Sequence, residues 1–137
     1  MPPSVRNAHL PLESAEQALY FRWLEYVHID GHCLRPHCYA VPNGGSRHVL
    51  EAVRLKAQGV TAGVPDICID VPAGKAHGLR LEMKRVGARP TPAQVEMLEL
   101  RRSMGYAAVV AEGFAAARRE TVKYLTQSWL VTDRWVG

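Results

Sequence analysis

Long hydrophobic runs are missing from this chain of 137 residues: no apolar stretch reaches membrane-spanning length and no hydrophobic segment follows Met1. A soluble, cytoplasmic protein with no membrane partner is therefore expected. Cysteine is scarce as well. Three residues, an odd number, build no disulfide framework and suit a reducing compartment. No internal repeat and no Pro/Gly/Ser-rich linker divides the chain, so one domain is expected over 13 to 137, with a proline-bearing arm over 1 to 12. What is present is ordinary for a globular protein: 47% apolar and 22% charged residues, which excludes wholesale disorder. The net charge of +4 leans basic, which is compatible with a polyanionic partner but is weak support alone.

Leu19, Tyr20, Trp23, Leu24 and Val27 recur at helical spacing, which predicts a helix from about 14 to 29, ended by Gly31. A short strand over 38 to 41 precedes a Pro42-Asn43-Gly44-Gly45 turn and a second helix from about 47 to 58. Residues 67 to 71 and 79 to 84 alternate in polarity, and the Gly/Pro-containing connection between them makes an antiparallel hairpin the simplest pairing. Thr91-Pro92-Ala93-Gln94 carries a capping box with proline at the first helical position, so a helix should run from there to Met104. A strand over 106 to 111, a helix over 113 to 125 and a strand or coil over 129 to 136 complete an α/β layer with a small mixed sheet.

The chemistry concentrates between 63 and 84. Gly63-Val64-Pro65-Asp66 turns into the first hairpin strand, and the second ends Glu82-Met83-Lys84. Alternation projects Arg80, Glu82 and Lys84 from one face, and an antiparallel hairpin lays Asp66 beside them. Carboxylate oxygens suit a hard divalent cation, which polarises a phosphate and acidifies a water that the lysine ammonium orients. The bland alternative is a solvated Glu–Lys face, and the Pro-Asp turn at hairpin distance argues against it. On a helical wheel, Glu16 lies within about 20° of Trp23 and Val27, and a carboxylate on an apolar face is costly unless something uses it. Glu16 is thus the leading third acidic ligand and Glu13 the reserve, with a simple macrodipole role for Glu16 as the competitor.

Glu16-Gln17, Pro42-Asn43-Gly44-Gly45 with Arg47, Leu55-Lys56, Gly59-Val60, Ala62 to Asp66, Gly78-Leu79, Glu82-Met83-Lys84, Gln94 and Gly105-Tyr106 together resemble the VRR-NUC (virus-type replication-repair nuclease) family of the PD-(D/E)xK superfamily. The resemblance spans roughly 13 to 125. It implies a restriction-endonuclease-like α/β fold and Mg²⁺- or Mn²⁺-dependent DNA cleavage. It also implies a bacterial or phage origin and, in some members, a homodimer acting on branched, Holliday-junction-like DNA in repair or recombination. By position it assigns metal binding to Asp66, Glu82 and the Met83 backbone carbonyl, and water orientation to Lys84. Glu16 would match the acidic residue of the first helix, and Gln94 the glutamine facing the active site. For Gln94 the capping box competes as an explanation.

Backbone amides of Asn43, Gly44 and Gly45 can approach a phosphate, although a tight turn explains them too. With Arg47, Arg85 and Arg89 they are the candidate DNA contacts, giving salt-sensitive binding of little sequence preference. Arg101-Arg102 and Arg118-Arg119 suit solvated helix faces. His28, His32, Cys33, His37 and Cys38 cluster, but without the spacing of a usual zinc site. The rival functional class is a catalytically silent DNA-binding or scaffold module of the same fold.

Overall fold

A computed structural model describes residues 12–42 and 49–137. Its helices, hairpin and strands fall largely where the sequence periodicity puts them, and the departures have local causes. Helix α1 (Glu13–Leu24) buries Tyr20, Trp23 and Leu24, then stops short of the expected end near 29. Val27 and Ile29, β-branched and alternating with His28, instead form strand β1 (Val27–Ile29), which pairs with β2 (His32–Cys33). Asp30 and Gly31 join them with φ of 46° and 83°, the two left-handed positions of a two-residue hairpin turn.

A 3-10 turn (Arg35–His37) leads into β3 (Cys38–Ala40), followed by α2 (Val49–Ala57) and β4 (Ile67–Ile69). The chain continues as β5 (Leu79–Lys84), α3 (Pro92–Ser103), β6 (Ala107–Glu112), α4 (Gly113–Leu125) and β7 (Val131–Asp133). Two sheets result: β2-β1-β7, and a mixed sheet β3-β4-β5-β6 whose first three strands are antiparallel and whose last pair is parallel.

Leu79, Leu81 and Met83 of β5 pack in one buried cluster with Tyr20, Trp23 and Leu24 of α1 and Ala117, Tyr124 and Leu125 of α4. Even its polar groups are satisfied. The Tyr20 and Thr121 hydroxyls lie 2.6 Å apart, and Tyr124 donates to the Val71 carbonyl at 2.7 Å. Helix α3 lies on β5 and β6, with Leu98 and Ala108 buried. Among the described residues, no helix is long and apolar enough to cross a membrane.

Candidate active site

The hairpin register brings two acids together. Ile67 pairs with Leu81, so one further step along the ladder sets Asp66 beside Glu82. The Val41 amide donates to the Asp66 carbonyl at 2.7 Å, which extends the β3–β4 pairing to the same level. Upstream, the chain passes so close to α3 that a Cβ on Gly63 would meet the Ala93 carbonyl oxygen at 2.8 Å, and φ there is 81°. Glycine is the residue this approach permits.

Both acids are buried, Asp66 at 8% and Glu82 at 1% exposure. Each accepts a backbone amide from the other's strand: the Asp66 N–H donates to Glu82 Oε2 at 3.2 Å, and the Met83 N–H donates to Asp66 Oδ2 at 3.1 Å. Lys84 Nζ stands 3.6 Å from Glu82 Oε1. Gln94 performs both of its competing roles at once. Its amide oxygen accepts the Thr91 N–H at 2.8 Å and closes the capping box, while its Nε2 donates to Glu82 Oε1 at 2.8 Å. One side chain therefore ties the first turn of α3 to the acid.

The electrostatics follow from burial. Desolvation first, then the Asp66 charge and side-chain hydrogen bond, raise the Glu82 carboxyl; the Lys84 ammonium and the Asp66 backbone amide offset part of this, and together they hold it at about 8. Two buried carboxylates that oppose each other's ionisation are stabilised by an added cation. Their hard oxygen donors fit Mg²⁺ or Mn²⁺, which is commonly held by one or two carboxylates with waters and substrate oxygens completing the shell. Asp66 and Glu82 are the groups that could hold it, and the buried Met83 sits between Glu82 and Lys84 in β5. Among the described residues no three His, Cys, Asp or Glu side chains gather closely enough to hold a metal unaided, whether at this site or along 28 to 38. In the latter segment His28 Nε2 and Cys33 Sγ lie 3.5 Å apart, and the buried Cys38 thiol donates to the Leu34 carbonyl.

The first helix divides its acids differently from the wheel. Glu16 does lie inward, but its Oε2 accepts the Phe114 N–H at the start of α4. The N-cap residue of α4, Glu112, makes no side-chain cap bond, so Glu16 supplies that acceptor. Glu13 is the acid that senses the site. Partial burial raises its pKa first, the Asp66 charge raises it again, and Lys84 lowers it. With Gln17 one turn further on, Glu13 lines a cleft of about 550 Å³ that also includes Asp66 and Val41. The i,i+4 spacing of Glu13 and Gln17 was the available signal for this shared face. Arg85 is half-buried and Arg89 exposed, both just beyond Lys84. Asn43, Gly44, Gly45 and Arg47 lie outside the described residues.

No protein-family model matches the chain, and no curated protein matches it. A solved structure described as a VRR_NUC domain protein is 32% identical, covers 85% of this chain and 90% of its own, and superposes with a TM-score of 0.76. Agreement of that extent in sequence and fold means that the chain belongs to the VRR-NUC family and carries its nuclease-type domain.

Proposed function

We propose that the protein is a metal-dependent DNA endonuclease that hydrolyses phosphodiester bonds at the Asp66–Glu82 pair. The observation that carries this reading is the interlocked carboxylate pair, which is buried, mutually destabilised and has an ammonium 3.6 Å away. A purely binding surface gains nothing from two acids held in that state. When bound, Mg²⁺ or Mn²⁺ would neutralise the pair, polarise the scissile phosphate and acidify the attacking water. Asp66 and Glu82, with the Met83 carbonyl, are the groups assigned to hold the metal.

Lys84 contributes a fixed positive charge beside Glu82, placed to orient the water and to stabilise charge building on the phosphate. Gln94 holds the Glu82 carboxylate in one orientation through its 2.8 Å bond. Glu13 is the better third acid for the site, because its ionisation is coupled to Asp66 and Lys84 whereas Glu16 caps α4. Arg85 and Arg89 follow Lys84 in sequence and supply cations for the backbone of a DNA strand.

The preferred substrate in this proposal is branched DNA, as for family members that resemble Holliday-junction resolvases, and the working form is a homodimer. One feature supports self-association: α2 buries none of its residues, and it exposes Val49, Leu50 and Val53 at 74%, 70% and 62%. Incubation with branched, flapped, linear and RNA substrates in Mn²⁺, Mg²⁺ or EDTA tests the reading. Cleavage of branched DNA that requires the metal is expected. Full cleavage in EDTA, or no cleavage of any nucleic acid, contradicts it.

A further inference from the structure

A second cleft opens on the same face of the mixed sheet as Glu82, and the nuclease reading does not use it. Register locates it. Tyr39 pairs with Cys68 and Cys68 with Arg80, forming one row across β3, β4 and β5. The row Val41–Asp66–Glu82 lies two residues further along the same strands, about 7 Å away at the rise of an extended chain. The cleft occupies about 640 Å³ and is walled by Tyr39, Tyr106, Pro65, Arg80 and Arg101. Val41 and Pro42 line both this cleft and the neighbouring one that holds Asp66, so the two adjoin.

The walls have a specific chemistry. The Arg80 guanidinium lies over the Tyr106 ring at 4.5 Å from its centroid and pairs with Asp70 at 3.1 Å, which fixes a flat cationic and aromatic surface. Opposite in the row, Tyr39 remains 46% exposed. Arg101 has no ion-pair partner among the described residues, and its charge is available to an anion. Stacking surfaces, a spare cation and apolar sides complement a planar base carrying a phosphate on its sugar.

We infer that this cleft receives one unpaired nucleobase of the strand being cut, next to the scissile phosphate. The inference rests on the nuclease reading and deepens it: the substrate class becomes a strand with an unstacked nucleotide beside the cut, as at a fork, a bulge or a junction. A strand with its phosphate at Asp66 and Glu82 carries the neighbouring nucleotide over the Tyr39–Arg80 row, and stacking there offsets the cost of unpairing it.

The test measures binding and cleavage separately. Fluorescence anisotropy in EDTA compares labelled duplexes that are fully paired, that carry one unpaired nucleotide, or whose unpaired nucleotide is abasic. Wild-type protein is expected to bind the unpaired form about tenfold more tightly than either control, the scale of one stacked base. That gap should collapse in Tyr39→Ala and return in Tyr39→Phe, which keeps the ring. Should Tyr39→Ala melt abnormally, the abasic comparison on wild-type protein decides alone. Equal binding of all three duplexes overturns the inference, as does an unchanged gap in a folded Tyr39→Ala. In a parallel Mn²⁺ reaction, cleavage indifferent to the unpaired base removes the slot but leaves the nuclease reading. Base-dependent binding with no cleavage removes the nuclease reading and leaves the slot.

Discussion

Glu82 concentrates the tension of the site in one side chain. A carboxyl whose folded pKa lies above its unfolded value binds its proton more tightly in the folded state, so the stability it contributes is complete at low pH and is lost as pH rises. For Glu82 the window runs from the ordinary 4.5 to about 8. The melting temperature of the metal-free protein should therefore fall as pH rises through this window, and Glu82→Gln should flatten the profile. Mn²⁺ should raise the melting temperature most at the upper end, where both acids are ionised and ready to bind it. A wild-type profile that is flat or rises with pH contradicts this account. Glu13 makes a separate prediction. Glu13→Gln should slow metal-dependent cleavage by at least about tenfold, equivalent to one hydrogen-bond-sized loss at the barrier. Steady-state rates on one DNA substrate would read it, and an unchanged rate would return the third-acid role to another residue.

Among the elements, α4 illustrates how an acid can be correctly singled out while its use stays hidden. Glu16 stood out because it faced inward on α1, and that placement holds. A helical wheel gives a direction around one axis and carries no information about what lies there. The partner proved to be the N-terminus of α4, 98 residues away in sequence. Glu16→Ala should cost about 1 kcal/mol, the usual value of a lost cap, and lower the melting temperature while sparing cleavage more than Glu13→Gln does. A Glu16→Ala protein that melts normally but has lost cleavage would reverse the two assignments. The premature end of α1 has a different origin. Val27 sits at helical spacing from Trp23, so periodicity alone extends the helix, yet Asp30-Gly31 between alternating residues is a hairpin signal that local turn chemistry makes decisive. The capping role of Gln94 was legible because Thr91-Pro92-Ala93-Gln94 fixes the helix start, whereas its place near the site came only from the family resemblance, and the side chain does reach Glu82.

Over the whole molecule, the hairpin carried most of what the sequence could reveal. Once residues 67 to 69 and 79 to 84 pair antiparallel, Asp66 meets Glu82 without reference to the rest of the fold. The parallel addition of β6 and the separate β2-β1-β7 sheet depend on long-range pairing between short strands, which period and propensity do not encode. Helix α2 poses the remaining question at this scale. It buries no residue and exposes a valine–leucine stripe, a face of the kind that a second copy could cover. Light scattering should give a dimer mass for wild-type protein and a monomer mass for Val53→Asp. A monomeric wild type, with or without DNA, removes the homodimer from the proposal.

The central claim, that the Asp66–Glu82 pair is a catalytic metal site, is tested most directly by Asp66→Ala. Cleavage of a branched DNA in Mn²⁺ should be measured alongside DNA binding and thermal melting of the same preparation. The account predicts a folded protein that still binds DNA and no longer cuts it. Undiminished cleavage by folded Asp66→Ala would contradict it.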